Sequence, residues 1–336
     1  MSISALVYVT IAVALIFDVI NGFHDAANSI ATVVSTRVLS PRLAVLWATI
    51  FNFVALFIFQ QGVANTISKI VSIQGSDPAF VWVVIAGLTG AIVWNLLTLW
   101  WGLPSSSSHA LIGGLSGAGV AYAGFGVLNT DKLFPTLEWI LLAPLLGLVL
   151  GGLIMFAIYW LFRGMRPNKV DRVFRVGQLF SAAAYSIGHG GNDAQKTVGV
   201  IWAVMVAGGM LPATAHGAPY WVILASYTAM AVGTALGGQR IIKTMGMGIT
   251  SLKPVGGFCA NLAGAMTLFG ATGLHVPVST THTITGAIVG VGSVTKLRGI
   301  RWGLATRIVW AWIFTIPAAG AVGAGVLVLA RALHAY

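Results

Sequence analysis

Long apolar segments follow one another along most of the chain, and short polar segments separate them. Residues 133–162 are interrupted only by Glu138, and residues 197–239 contain no Asp, Glu, Lys or Arg. Segments of about 20 apolar residues are typical of helices that span a membrane. The pattern predicts an all-α polytopic membrane protein with about 10–12 transmembrane helices, some of them broken into re-entrant hairpins near the membrane midplane.

The composition agrees with a chain embedded in a lipid bilayer. Hydrophobic residues make up 57% of the 336 positions and charged residues only 7%, whereas soluble domains carry about 25% charged residues. The net charge of +11 lies in the connecting segments and not on a basic domain, so nucleic acid is not an expected partner. No Lys or Arg precedes Asp18, and we therefore expect no cleaved signal peptide at the start.

The basic residues also predict the topology. The segment 163–175 contains several of them beside the single acid Asp171, and such a loop is cytoplasmic by the positive-inside rule. Counting outward from it places the segments near Asp77, near Asp131 and at residues 208–220 outside. The basic residues that fall inside are Arg37, Arg42, Arg240, Lys243, Lys253, Lys296, Arg298 and Arg301. We expect a multi-pass protein of the plasma (inner) membrane with both termini extracytoplasmic.

Two motifs occur twice and in the same order. "VINGFHDAANSIATV" and "SIGHGGNDAQKTVGV" place Asp25 and Asp193 168 positions apart, and "PSSSSH" at Pro104 returns as "PVSTTH" at Pro277. The flanking loops of the two halves have opposite charge character, which predicts inverted repeats at residues 1–162 and 177–336, joined by a basic cytoplasmic loop at 163–176. Inverted repeats are typical of secondary transporters; an anion channel is the less economical alternative.

The two segments of proline and hydroxyl residues are predicted to begin helices inside the membrane. Proline is favoured at the first turn of a helix, and Ser and Thr satisfy free backbone N–H groups there. Helix N-termini also attract anions. Two such ends facing each other would form a cage of hydrogen-bond donors for a small tetrahedral oxyanion. A simpler interpretation is that the hydroxyl residues only cap the two helices. The candidate substrate-binding residues are Ser105, Ser106, Ser107, Ser108, Ser279, Thr280 and Thr281.

Buried charges accompany the first motif of each half. Asp18, Asn21, Asp25 and Asn28 share one helical face, and the counterparts are Ser186, His189, Asp193 and Lys196. Ionisable residues within membrane helices usually mark an ion or substrate path. We therefore predict functional roles for Asp25 and Asp193, and supporting roles for Lys196 and Asp18. His109 and His282, which follow the hydroxyl segments, are candidates for support or for a proton relay.

The chain has no motif of an enzyme. It has no Gly-x-Ser-x-Gly elbow, no His-Glu-x-x-His, no paired cysteines and no P-loop lysine. Ser108 and His109 are neighbours in sequence, and adjacent helical residues do not face each other. A non-enzymatic protein is predicted, without a cofactor and without a fixed metal site.

The motifs "NGFHDAANSIATVVSTR" and "GHGGNDAQKTVGV" resemble the paired signature of the inorganic phosphate transporter (PiT) family, bacterial low-affinity type. "GQRIIKTMGMGITSLKPVGGFCA" is also similar to that family's second half, so the resemblance covers essentially the whole chain. It implies import of inorganic phosphate by symport with a cation. In sodium-coupled members these motifs hold sodium, a role that by position falls on Asp25, Asn28, Asn192 and Asp193.

The chain departs from the sodium-coupled pattern at three positions. Asn52 and Asn261 stand where those members carry Glu, and Lys196 takes the repeat position of Asn28. Two negative charges are absent and one positive charge is added, which disfavours bound sodium. The family's bacterial branch then implies proton coupling, with phosphate carried as a neutral metal–phosphate complex in some members. Sodium stays an alternative because Asp25 and Asn28 are present.

Two further questions stay open at the level of sequence. Some members of the family are sulfate permeases, but only hydrogen phosphate can donate a P–OH hydrogen bond to a buried carboxylate, which favours phosphate. The glycine-rich segment "GAVGAGV" at residues 320–326 fits either a homodimer or tight internal packing.

Overall fold

The computed structural model describes residues 2–72, 78–237 and 249–334. Asp77, Arg240 and Lys243, which entered the predicted topology, lie outside the described residues, as does the segment 238–248 of the third family-like motif. The α-helices of the described residues are α1 Ile3–Ser35, α2 Pro41–Val54, α3 Gly62–Ile67, α4 Pro78–Trp101, α5 Ser107–Ala123, α6 Thr130–Leu161, α7 Pro167–Ala207, α8 Tyr220–Leu236, α9 Pro254–Gly273, α10 Thr280–Lys296 and α11 Trp302–Ala332.

Five of these helices are long and apolar enough to cross a membrane: α1, α4 from Ala79 onward, α6, α9 and α11. Two shorter apolar helices, α2 with the turn that follows it and α8, accompany them. The outer face of α6 exposes large apolar side chains, among them Leu141, Phe156 and Trp160. Such a surface suits lipid and not water. The predicted all-α membrane protein is confirmed.

The basic segment between the halves is mostly helical, unlike the loop predicted at 163–176. The chain turns over residues 163–166, and α7 begins at Pro167 and continues for 41 residues. Proline suits this start because its ring fixes φ and its missing N–H is not needed in the first turn. Lys169 and Arg172 therefore lie on a helix. The positive-inside rule weighs charge and does not distinguish a loop from the solvated end of a long helix.

The helix contacts of one half are matched in the other. The contact of α1 with α8 corresponds to that of α7 with α2. The contact of α5 with α11 corresponds to that of α10 with α6. In the same way, the contact of α4 with α11 corresponds to that of α9 with α6. α1 and α7 also contact each other at the centre. Matched contacts of this kind are what two repeats around a shared centre would produce. The inverted orientation of the repeats stays a prediction.

Two glycines at equivalent repeat positions allow close helix contacts. A methyl group at Gly22 of α1 would overlap the carbonyl oxygen of Met230 on α8, and one at Gly190 of α7 would overlap that of Asn52 on α2. Small residues let helix backbones approach each other within a membrane. These contacts fix the position of the acidic residue one turn further along α1 and α7.

The glycine-rich segment of α11 packs inside the protein. Cβ atoms at Gly320 and Gly323 would crowd the backbone of Gly113 and Gly114 on α5. These glycines therefore serve the α5–α11 contact, and the predicted homodimer draws no support from them.

Gly190→Ala should lower the melting temperature of the purified protein in detergent, because the added methyl group would push α7 away from α2. Gly270→Ala is the matched control: it lies on α9, a Cβ there meets no atom within 4 Å, and Ala stabilises a helix by about 1 kcal/mol relative to Gly. Tryptophan fluorescence on heating measures both variants. Equal melting temperatures would show that the close contact does not constrain the helix pair.

Candidate functional site

The first hydroxyl segment forms the N-terminus of α5. The helix begins at Ser107, and the side chain of Ser106 caps it by accepting a hydrogen bond from the backbone N–H of His109 at 3.2 Å. The predicted helix N-terminus is therefore present, but Pro104 precedes it and is not in its first turn. An N-cap residue is extended and needs a side-chain oxygen, so a serine takes this position.

The second hydroxyl segment repeats this arrangement at the N-terminus of α10. The helix begins at Thr280, and the side chain of Ser279 accepts a hydrogen bond from the backbone N–H of His282 at 3.2 Å. Pro277 again precedes the helix. We call residues 105–108 and 279–281 together the hydroxyl cage. All seven side chains are buried.

Asp25 of α1 contacts the hydroxyl cage from both halves. Its carboxylate accepts a hydrogen bond from Ser107 at 2.9 Å and a longer one from Thr281 at 3.4 Å. The Nδ1 atom of His24 lies 2.8 Å from the same carboxylate. Asp25 is 1% exposed, so these groups replace the water that a carboxylate would otherwise require.

Asn28, one turn further along α1, joins the first half to the second. Its amide nitrogen donates to the hydroxyl oxygens of Thr280 at 3.3 Å and Thr281 at 2.9 Å. The first motif of one half thus contacts the hydroxyl segment of the other half directly.

Asp193 of α7 occupies the corresponding place on the opposite side. Its carboxylate forms an ion pair with the ammonium group of Lys196, accepts a hydrogen bond from Thr280 at 3.1 Å, and lies 3.2 Å from Nε2 of His189. All four side chains are at most 2% exposed.

Lys196 connects α7 to both ends of the hydroxyl cage. Besides Asp193, its ammonium group donates to the hydroxyl oxygen of Ser108 and to the backbone carbonyl of Val278 at 2.8 Å. An ammonium group has three N–H donors, and these three acceptors use all of them. The buried positive charge is therefore held beside two helix N-termini, where an anion would also be attracted.

Asn192 holds the chain that leads into α10. Its side-chain oxygen accepts a hydrogen bond from the backbone N–H of Val278 at 3.0 Å, and its nitrogen donates to the carbonyl of Val276 at 3.2 Å and to Thr272 at 3.1 Å. In this structure Asn192 positions the second helix end through these three hydrogen bonds.

One group of side chains at the centre has the spacing of metal ligands. A ligand atom of each of Asp25, His189 and Asp193 lies within 4.8 Å of the other two. The group unites α1 and α7, so it depends on both halves. From the sequence, His189 is the repeat counterpart of Asn21 and a histidine in an apolar helix, which is more often a satisfied polar group than a ligand.

Tyr185 was not identified from the sequence. Tyr185 lies on α7 one turn of helix before His189, and its hydroxyl donates to the backbone carbonyl of Thr280 at 2.9 Å. It lies in neither repeated motif, so no pattern distinguishes it from a packed aromatic residue.

Ser105 points away from the rest of the hydroxyl cage. Its hydroxyl donates to Thr98 of α4 at 2.8 Å, and Nε2 of His24 lies 3.3 Å from the same threonine. Ser105 therefore attaches the hairpin between α4 and α5 to α1, which is a supporting role.

Asn52 and Asn261 both make contacts that hold the motif helices. Asn52 donates to Thr234 of α8 at 3.1 Å, and its oxygen lies 3.3 Å from Nδ1 of His189. Asn261 of α9 accepts a hydrogen bond from Thr32 of α1 at 2.9 Å. Each asparagine is neutral and reaches a motif helix of the other half.

His109 and His282 lie together but away from the carboxylates. Their ring centroids are 4.3 Å apart, and His282 stacks on Trp312 of α11 at 3.7 Å. The two histidines line an apolar cavity of about 600 Å³ between α6, α10 and α11. Among the described residues, neither imidazole forms an ion pair with a carboxylate.

A polar cavity of about 560 Å³ opens beside the chain that leads into α10. Its lining includes Gln61, Lys69, His216 and His275. A second cavity of about 320 Å³ also borders Gln61 and His216 and extends to Gln195, the residue before Lys196. The two cavities share Gln60, Gln61 and His216, and the smaller one borders the residue that precedes Lys196.

Comparison with known proteins gives a consistent result. The profile of the phosphate transporter family matches residues 21–323. A "Probable low-affinity inorganic phosphate transporter" of Rhizobium meliloti is 52% identical over 94% of this chain and 93% of its own length. One of Bacillus subtilis with the same description is 44% identical over 93% of each chain. A solved structure, "The sodium-dependent phosphate transporter", shares the fold with a TM-score of 0.90 at 24% identity, covering 97% of this chain and 99% of that one.

Lys196→Met should destabilise the protein by about 3 kcal/mol, because removing one partner of a buried ion pair leaves a charge uncompensated. Adding Asp193→Asn should restore most of the loss, and Lys296→Met, at an exposed position on α10, should change little. Thermal unfolding in detergent compares the variants. If the double variant were as unstable as the single one, Lys196 would act through Ser108 and Val278 and not through its charge.

Proposed function

We propose that this chain, which belongs to the phosphate transporter family, is a secondary active transporter that imports inorganic phosphate together with a cation. The observation that carries the proposal is that two helix N-termini, one from each half, meet two buried carboxylates and one buried ammonium group. The relatives are named as transporters, and the chain is not an enzyme.

The hydroxyl cage supplies donors for the phosphate oxygens. The hydroxyls of Ser107, Thr280 and Thr281 donate to Asp25 or Asp193 in this structure, and a hydroxyl can rotate to donate to a bound anion instead. The backbone N–H groups and dipoles of α5 and α10 add further attraction for negative charge. Lys196 contributes a full positive charge beside the same helix ends.

The carboxylates favour phosphate over sulfate. Hydrogen phosphate carries a P–OH group that Asp25 or Asp193 can accept, whereas sulfate offers only acceptors and would meet a carboxylate without a proton between them. A site built to bond a substrate hydroxyl rejects an analogue without one. The relatives are likewise named for phosphate.

A coupling cation acts on Asp25, Asn28, Asn192 and Asp193, at the centre of the site. The ammonium group of Lys196 already pairs with Asp193, and a sodium ion beside that carboxylate would be repelled at short distance in a medium of low dielectric. This favours the proton. The metal-like spacing of Asp25, His189 and Asp193 supports a divalent ion arriving with phosphate as a neutral complex, because carboxylate and imidazole both bind such ions.

Sodium coupling is the second candidate. Asp25 and Asn28 keep oxygen atoms near the hydroxyl cage, and the protein with the similar fold is described as sodium-dependent. The two candidates share the substrate and the site and differ only in the ion.

Alternating access would follow from inverted repeats. The matched contacts of α1 with α8 and of α7 with α2 support two halves that exchange conformations around the central site. We place the protein in the plasma (inner) membrane, with the first turns of α7 cytoplasmic and both termini outside, on the distribution of basic residues.

Uptake of radiolabelled phosphate into proteoliposomes tests the function. We expect an imposed pH gradient to drive accumulation, a sodium gradient to drive little, and excess sulfate to leave uptake unchanged. Liposomes without protein and the variant Asp25→Asn serve as controls without coupled uptake. Absence of uptake under both gradients would refute phosphate transport, uptake that requires sodium would refute the proton assignment, and inhibition by sulfate would refute the anion specificity.

Removing two donors from the hydroxyl cage should weaken phosphate binding. A neutral hydrogen bond contributes about 1 kcal/mol, so Ser107→Ala combined with Thr280→Val should raise KM roughly 30-fold. Ser293→Ala is the matched control on α10, because its hydroxyl donates to the carbonyl of Gly290 at 2.7 Å. An unchanged KM in a folded double variant would mean that the helix ends are only capped and bind no anion.

A further inference from the structure

Asp18 is a fully buried acid that the central ion pairs do not include. It lies on α1 two turns before Asp25 and is 0% exposed. Each ion pair found in the described part of the chain involves Asp25 or Asp193. An isolated carboxylate is costly inside a membrane protein. A group of this kind therefore requires a positive partner during at least part of the protein's cycle.

The surroundings of Asp18 contain oxygen atoms without donors. The amide nitrogen of Asn21 is 3.5 Å from Oδ1 of Asp18, at the limit of a hydrogen bond. Oδ2 of Asp18, Oδ1 of Asn21 and the hydroxyl oxygen of Thr197 have no close hydrogen-bond partner, and the Thr197 hydroxyl lies near enough to the Asp18 carboxylate for a weak interaction. Buried polar atoms normally have partners, so three free oxygens from α1 and α7 indicate a ligand that is electron-poor.

The other two buried acids, Asp25 and Asp193, have more hydrogen-bond donors around them than Asp18 has. Asp25 is surrounded by His24, Ser107 and Thr281, and Asp193 by Lys196, Thr280 and His189. Hydrogen bonds to a carboxylate favour its charged form. The protein thus supplies close donors to Asp25 and Asp193, whereas Asp18 has only the amide of Asn21 at 3.5 Å and the hydroxyl of Thr197 near it.

One cavity borders a neighbour of Asp18. The cavity of about 320 Å³ reaches Gln195 and Tyr227, and Tyr227 of α8 lies near enough to Asp18 for the two groups to interact. The charged groups of α7 near Asp18 are Asp193 and Lys196, with opposite signs.

We infer that Asp18, Asn21 and Thr197 form a second binding site, which takes up a monovalent cation that is cotransported in addition to the cation at Asp25, Asn28, Asn192 and Asp193. The inference rests on the proposed function. A proton would bind Oδ2 of Asp18 and give a neutral acid that donates to one of the free oxygens; a sodium ion would be held by the three oxygens together. Both neutralise the same carboxylate, and no covalent bond other than O–H forms or breaks.

The repeat supports a single site of this kind. Ser186 takes the repeat position of Asp18, so the second half has no carboxylate there. Asp18→Ser therefore introduces the residue that α7 already carries at the equivalent place, and it serves as a second variant should Asp18→Asn fold poorly.

Two transport assays separate cation coupling from phosphate binding. Exchange of internal for external labelled phosphate at equal concentrations needs no net cation movement, whereas accumulation needs the driving gradient. Asp18→Asn and Asp18→Ser should still exchange phosphate above the level of liposomes without protein and should lose accumulation under both a pH and a sodium gradient. Asp18→Glu should recover accumulation, and Asp131→Asn, at an exposed position at the start of α6, should behave as the unmodified protein.

The outcomes distinguish the inference from the proposed function. Accumulation by folded Asp18→Asn at the normal rate, or loss of exchange together with accumulation, would overturn the second site. If the unmodified protein neither exchanged nor accumulated phosphate, the proposed function itself would fail. One of the two gradients should drive phosphate accumulation by the unmodified protein and drive none by Asp18→Asn. That gradient identifies the ion as proton or sodium.

Discussion

The structure depends on the neutralisation of one buried positive charge. The ammonium group of Lys196 is at the meeting point of α7, the start of α5 and the chain that leads into α10, and it has an acceptor in each: Asp193, Ser108 and Val278. A buried charge is tolerated only when it is paired and hydrogen-bonded. The same contacts that satisfy the charge therefore fix the distance between the two helix N-termini.

The acids explain why an anion site should need a cation. In the structure, Asp25 and Asp193 accept hydrogen bonds from the hydroxyls at the helix starts, so negative oxygens already lie where an anion would be attracted. A bound phosphate would either displace these carboxylates from the hydroxyls or lie beside them. Either arrangement places like charges together in a medium of low dielectric. A cation that arrives with the anion removes that repulsion, which couples the two by electrostatics alone.

The apolar segments predicted the helical fold class, and the repeated motifs predicted the two hydroxyl helix ends and singled out Asp25 and Asp193, which lie beside those ends. Side-chain direction could not be predicted in this way. Ser105 turns to α4, and His109 lies in an apolar cavity, because the packing of α4 and α6 against the hairpins decides where each side chain points. The central position of His189 likewise depends on how closely α7 approaches α1, and sequence spacing does not give that distance.

The two halves carry chemically different residues at the repeat position of Asn28 and Lys196. Asn28 is neutral and bonds Thr280 and Thr281, whereas Lys196, its counterpart in the repeat, is charged and bonds Ser108. If the halves exchange their conformations, the ammonium and the amide exchange environments, and the two resulting states differ in energy. Without substrate, the protein would then be open mainly toward one side of the membrane. This single difference between the repeats would determine which side that is.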